Sequence, residues 1–95
     1  MLDDDAKAKL LMRLRRVGGQ VEAVARLIET DAYCVDTLTQ LSAATGALAR
    51  VAQIVLESHV KTCVRTAMVQ GDAADVDAKL EELVALFRRY AHVIE

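Results

Sequence analysis

Three apolar stripes with one shared spacing constrain this chain more than any other feature. Leu10, Leu14, Val17, Val21, Val24 and Ile28 form the first, and Val76, Leu80, Leu83, Phe87, Tyr90 and Ile94 form the last. Between them, Cys34, Leu38, Leu41, Thr45, Leu48, Ala52, Val55 and His59 keep the same alternation of four and three. That alternation puts all members of a stripe on one face of an α-helix and is the spacing of helices packed side by side. No proline interrupts any of the three segments. The expected fold is all-α: three amphipathic helices without strands, forming a single domain over residues 1–95.

The helix ends are written in the sequence as well. Asp3, Asp4 and Asp5 are suited to cap the first helix and to meet its positive end. Thr30-Asp31-Ala32-Tyr33 breaks the first stripe from the second. The second helix is expected from about Cys34 to Gln70, with Gly71 as the residue that ends it and Asp72 or Asp75 as the cap of the third. Gly18-Gly19 falls in the middle of the first helix, where each glycine costs about 1 kcal/mol relative to alanine. Close packing or the approach of a ligand backbone would account for the pair, and a kink is the alternative. A second helix this long needs partners along its whole length. One protomer leaves an apolar stripe uncovered, so the functional unit is expected to be at least a dimer.

Composition sets the broad class. Apolar residues make up 54% of the chain but aromatic ones only 3%, as expected of Ala-, Val- and Leu-rich helices packed on helices. No apolar run approaches the roughly 18 residues that span a bilayer, and the N-terminus is acidic rather than signal-like. The expected location is therefore the cytoplasm, with no membrane partner. Two cysteines there are ligands or redox thiols more readily than a structural disulfide. A net charge of −2 argues against a simple basic nucleic-acid binder. The charge is segregated, however. Lys7, Lys9, Arg13, Arg15 and Arg16 lie in a stretch without a single acidic residue, while carboxylates dominate from Asp72 onward. A positive face is compatible with an acidic protein.

Cys34, His59 and Cys63 carry the candidate chemistry. His59 and Cys63 are four residues apart and share a helix face. Cys34 and His59 stand at opposite ends of the same stripe, roughly 37 Å apart on a straight helix. No single helix brings all three to one ion. Two copies running antiparallel can, because pairing residue 34 with residue 59 of the other copy puts the crossing near Gly46 and Ala47. Ala43, Ala44, Gly46, Ala47 and Ala49 cluster there and permit close approach. Taken singly, a Cys or His on an apolar stripe is ordinarily a core residue. The shared face, the symmetric placement and the cost of burying such groups without partners favour a ligand site.

Two thiolates and one imidazole make a soft, low-coordinate set that suits Cu(I) and also holds Zn²⁺ given a fourth ligand. No fourth ligand is evident, since His92 lies near the C-terminus. Tyr33 immediately precedes Cys34, where its hydroxyl can serve as hydrogen-bond partner of His59 of the partner subunit or simply pack at the helix start. Elsewhere, Arg13, Arg16 and Gln20 follow at i, i+3 and i+7 along one face, and Arg50, Lys61 and Arg65 add basic positions on the second helix. From the residues alone these read first as solvated helix surface.

Three segments carry a family resemblance: residues 13–24 (Arg-Leu-Arg-Arg-Val-Gly-Gly-Gln-Val-Glu-Ala-Val), Tyr33-Cys34-Val35-Asp36, and His59-Val60-Lys61-Thr62-Cys63-Val64. Together they resemble the copper-sensing transcriptional repressors (CsoR/RcnR type), small all-helical bacterial regulators, over nearly the whole chain. The resemblance implies an antiparallel four-helix-bundle dimer with third helices docked outside, and two such dimers in a homotetramer. It implies a Cu(I) site made by Cys34 of one protomer with His59 and Cys63 of the other. It also implies operator binding through basic residues of the first two helices, which gives Arg13, Arg16, Gln20, Arg50, Lys61 and Arg65 a role on double-stranded DNA. Arginine and lysine contacts to phosphates would supply most of that affinity.

The branches of that family differ at these positions. Nickel and cobalt sensors carry His where Cys63 stands and add an N-terminal His, and residues 1–12 contain none. Formaldehyde sensors carry a carboxylate there, and persulfide sensors lack the middle His. Cys34, His59 and Cys63 match the copper branch. Copper sensors also have a Glu on the third helix behind the His ligand. Lys79 falls at the ungapped position, whereas aligning backward from Phe87 points to Glu82, because the connection after Gly71 is longer here.

The leading expectation is a Cu(I)-responsive repressor that binds its operator in the apo form and is released on binding copper. A thiol- or persulfide-sensing repressor using Cys34 and Cys63 is the nearest alternative. A cytoplasmic copper buffer or chaperone, with an idle basic face, is the alternative of another class. No nucleophile–base–orienter set and no paired-carboxylate cleft is present, so the chain is not expected to be an enzyme.

Overall fold

The structure, a computed structural model, describes residues 2–71 and 73–94, apart from the side chains of Gln70 and residues 92–94. Three helices account for it: α1 (Asp4–Glu29), α2 (Cys34–Gln70) and α3 (Ala73–Ile94). The expected all-α class and the three-helix order are both observed, with no strand among the described residues.

Capping chemistry explains the helix ends. Asp3 is the N-cap of α1, its Oδ1 accepting from the Ala6 N–H at 2.7 Å, while Asp4 and Asp5 occupy the first turn. That divides the three aspartates into one cap and two dipole partners. At the other end, Thr30 donates both its N–H and its hydroxyl to the Arg26 carbonyl, at 3.0 and 2.9 Å. Asp31 then turns through φ 53°, and the Ala32 N–H returns to the Leu27 carbonyl. Asp is among the few residues that enter this left-handed region at modest cost. The Tyr33 carbonyl accepts the Asp36 N–H at 2.9 Å and opens α2.

The second break follows the glycine rule. Gly71 sits at φ 65° and donates its N–H to the Ala67 carbonyl at 2.9 Å, which stops α2 after Gln70. Asp75 lies inside the first turn of α3, so it meets the helix dipole and does not cap it. Asp72, the other expected cap, lies outside the described residues, as do the side chains of His92 and Ile94.

The chain divides into two compact units that share α2: Asp3–Val51, and Ala52–Glu95 with Met1–Leu2. In the first, the buried residues are Leu10, Val17 and Val24 of α1 with Ala44 and Val51 of α2. They step by seven, so one half of the α1 heptad is covered. The other half, Leu14, Val21 and Ile28, is exposed. The α2 stripe behaves similarly: Leu38, Leu41 and Leu48 are exposed, and Ala44 and Val51 on a neighbouring face are buried. Each protomer thus hides only part of its apolar surface. Gly18 and Gly19 continue α1 as regular helix, and a Cβ on either would meet nothing within 4 Å. The expected close approach there has no counterpart inside the protomer.

In the second unit, the latter part of α2 packs with α3 and buries Cys63 and Leu83. An open groove of about 450 Å³ runs between them, lined by Ala52, Val55, His59, Glu82, Leu86 and Tyr90.

Candidate metal centre

His59 and Cys63 project from one face of α2, as four-residue spacing on a helix dictates. Cys63 is buried, with 6% of its surface exposed, and the His59 side chain retains 20%. Their atoms approach closely, with His59 Nε2 3.5 Å from Cys63 Sγ. Two ligands at usual nitrogen and thiolate bond lengths on one tetrahedral ion are about 3.5 Å apart. The contact brings the imidazole and the thiol together at one place on the helix face.

A third group arrives from α3. Glu82 Oε1 lies 3.1 Å from the same His59 Nε2, and its other oxygen lies 3.7 Å from Lys79 Nζ. Of the two α3 positions that the sequence left open behind the histidine, Glu82 reaches the imidazole and Lys79 reaches Glu82. The Lys79–Glu82 contact was not anticipated, although its i, i+3 spacing was a usable signal. His59, Cys63 and Glu82 form the one group of three metal-capable side chains among the described residues, their ligand atoms all within 4.8 Å of one another.

Hydrogen-bond chemistry assigns the imidazole nitrogens. A carboxylate only accepts, so the His59–Glu82 bond requires the proton on Nε2. A histidine that ligates through one nitrogen is usually oriented through a hydrogen bond at the other, and Glu82 is placed to supply one.

Cys34 is the first residue of α2, exposed, and belongs to the other unit. It is not in the His59–Cys63–Glu82 group. Tyr33, beside it, is 71% exposed. Neither Cys34 nor Tyr33 belongs to that group, and the expected set of Cys34, His59 and Cys63 is one that two protomers share. The donor types are chemically suited to a soft ion: a buried thiol, an imidazole, and a second thiol on the exposed stripe of the same helix.

The basic positions divide between the two units. Arg13 and Arg16 are exposed, Gln20 is half-buried, and Arg50 is exposed, all within the first unit. Lys61 and Arg65 are exposed in the second. The Gln20 side-chain oxygen is buried without a hydrogen-bond partner, so its carbonyl is less available to an external ligand than the two arginines of the same face.

Comparison with known proteins agrees with this geometry. Residues 6–89 match the model of a family described as metal-sensitive transcriptional repressors. The copper-sensing transcriptional repressor RicR of Mycobacterium tuberculosis is 49% identical over 77 residues, covering 81% of this chain and 79% of that one. The copper-sensing repressor CsoR of Bacillus subtilis is 37% identical over 84 residues, covering 88% and 80%. CsoR of Mycobacterium tuberculosis is 38% identical over 78 residues, and the match spans 63% of its length. Among solved structures, the Cu(I)-bound copper-sensing repressor CsoR from Geobacillus thermodenitrificans superposes with a TM-score of 0.83 at 32% identity, over 96% of this chain and 92% of that one. No helix among the described residues is long and apolar enough to cross a membrane.

Proposed function

Because this chain belongs to the metal-sensitive transcriptional repressor family, whose members are regulators rather than enzymes, we propose that it is a copper(I)-responsive repressor of the cytoplasm. In this reading the apo protein binds operator DNA and copper binding releases it. The copper-sensing relatives and the Cu(I)-bound structural neighbour support the choice of metal. The observation that carries it is the position of His59, with Nε2 3.5 Å from Cys63 Sγ and 3.1 Å from Glu82 Oε1.

Cys34 of one protomer, with His59 and Cys63 of the other, would hold the ion. Bound there, Cu(I) supplies a covalent bridge between two chains. The roles of the side chains follow from their chemistry. Two thiolates select a soft ion, His59 offers Nδ1, and Glu82 holds the ring through Nε2–H. Tyr33, next to Cys34, is assigned as a further hydrogen-bond partner at the site. Bridging favours one arrangement of the protomers over another, and release of DNA requires only that this arrangement bind the operator less well. The reciprocal effect is obligatory: operator DNA weakens copper binding by the same factor.

The assembly is an antiparallel four-helix-bundle dimer, two of which form a homotetramer, with the 95 residues acting as a single domain through the shared helix α2. Exposed Leu38, Leu41 and Leu48 support this, since they extend the stripe that begins at Cys34. Arg13, Arg16, Gln20, Arg50, Lys61 and Arg65 are assigned to DNA, with the exposed Arg13 and Arg16 on phosphates.

A titration of the chain's own upstream DNA with apo, Cu(I)-loaded and persulfide-treated protein tests this reading. Tight binding by the apo protein and release by Cu(I) are expected. Release by persulfide alone would transfer the function to thiol sensing, and no specific complex in any state would leave a copper buffer.

A further inference from the structure

The third helix carries more apolar surface than its packing on α2 uses. Leu83 is buried, but Leu80, Val84 and Phe87 remain 53%, 51% and 45% exposed. With Ala91 these three repeat at 4-3-4, which makes a second heptad on the same helix. It lies away from the surface that continues the α2 stripe. That surface is the groove lined by Ala52, Val55, His59, Leu86 and Tyr90. Val84 and Leu86 are two residues apart and therefore stand about 160° from each other around a helix of 3.6 residues per turn. A partner seated on the α2 stripe does not cover Val84.

Two opposite charges border this second heptad. Glu81 and Arg88 are exposed and, with Leu80, Val84 and Ala85, line an open hollow of about 350 Å³. Seven residues separate them, so both sit on the same edge of the stripe. Within α3 neither has an opposite charge three or four residues away. Glu81 has Asp77, Ala78, Val84 and Ala85 at those positions, and Arg88 has Val84, Ala85, Ala91 and His92. An antiparallel copy of the helix supplies both partners. Seating Val84 against Phe87 of the copy also seats Leu80 against its Ala91 and puts Glu81 beside its Arg88, and two-fold symmetry repeats each contact. Parallel pairing would set both charges against the other edge, where Val76, Leu83 and Tyr90 carry none. We propose that α3 pairs antiparallel with α3 of another copy through Leu80, Val84 and Phe87, bordered by two Glu81–Arg88 ion pairs, and that this contact joins two dimers. It rests on the homotetramer of the reading above and gives that assembly its second interface, whereas the copper and DNA roles do not enter it.

Sedimentation velocity of the full-length apo protein over a concentration series is the test, with charge reversals as the variants. Glu81→Arg and Arg88→Glu each turn two attractive pairs into two repulsive ones, and should weaken association of dimers by roughly tenfold or more while leaving the dimer intact. Glu81→Arg/Arg88→Glu recreates the pairs with their signs exchanged and should return association to within about threefold of wild type. Val84→Glu places a charge in the middle of the seam and should abolish the tetramer alone. All four positions changed are exposed in one chain or border open surface, and far-ultraviolet circular dichroism will establish that each variant is folded. Recovery in the double variant is the decisive result, because a merely structural role for either residue would give summed losses. A tetramer insensitive to the single reversals or to Val84→Glu, a double variant no better than either parent, loss of the dimer together with the tetramer, or a wild type that never exceeds a dimer would overturn the proposal. Failure of Cu(I) to bind or to release DNA would leave these masses unaltered and count against the repressor reading alone.

Discussion

His59 and Glu82 come from different helices, yet Oε1 of one lies 3.1 Å from Nε2 of the other. The contact links His59 of α2 to α3 through a hydrogen bond, so a metal held by His59 would act on the third helix through Glu82. Weakening that bond should separate metal affinity from DNA release. Glu82→Ala with Tyr33→Phe is expected to keep most of the Cu(I) affinity while losing much of the copper-dependent drop in operator binding. Competition with a Cu(I) chelator measures the first and fluorescence anisotropy the second. Full copper-dependent release in the double variant would exclude this route.

Dimer formation is testable through residues that the protomer leaves exposed. Leu41→Glu and Leu48→Glu place a charge on surface that is open in one chain, so monomer stability should change little. In the antiparallel dimer the same charge is buried without a partner, which costs about 3–5 kcal/mol. Sedimentation should show loss of the dimer and tetramer, and high-affinity Cu(I) binding should disappear with it. A variant that stays tetrameric would relocate the interface.

Both the helices and their ends were legible in the sequence, because heptad spacing and capping chemistry are local. The Cys34 and Gln70 bounds of α2 and the stop at Gly71 agree with the expected ones. Which half of each stripe the protomer covers was not legible. Leu10, Val17 and Val24 are indistinguishable in pattern from Leu14, Val21 and Ile28, yet only the first set is buried. A heptad records that a face needs covering without recording whether the cover comes from the same chain. The neighbour of His59 was open for a related reason. The register of α3 depends on the turn after Gly71, and Lys79 and Glu82 differ by nearly one helical turn, so only the packing of α3 on α2 distinguishes them. Cys34, the first residue of α2, is not in the group to which His59 belongs.

The basic face of α1 makes a prediction of a different kind. Arg13→Ala and Arg16→Ala should each weaken operator binding at all sequences tested and lower the salt dependence by about one unit of slope per lost phosphate contact. Copper affinity should be unchanged, because neither arginine belongs to the His59–Cys63–Glu82 group. Mobility shifts at two salt concentrations measure both effects. Unchanged operator affinity in the double variant would move the DNA face to Arg50, Lys61 and Arg65.

The cap of α1 offers a stability test independent of metal and DNA. Asp3 accepts the Ala6 N–H at 2.7 Å, and replacing such a cap by alanine typically costs about 1 kcal/mol. For a domain of this size, Asp3→Ala should lower Tm by roughly 4–8 °C. Asp3→Ser should restore most of it in calorimetry, whereas a loss common to both variants would point to charge rather than capping.

The central claim is that one copper ion joins two chains and thereby controls DNA. Mixing Cys34→Ala with Cys63→Ala chains tests it most directly. Neither variant alone should bind Cu(I) tightly or leave the operator on adding it. Random pairing of equal amounts yields heterodimers with one intact site, which predicts about one quarter of a copper ion per chain across a two-fold interface. Copper-dependent release should reappear in the mixture and in neither parent. Tight copper binding by either variant alone, or none in a mixture shown to have exchanged subunits, would contradict the shared site.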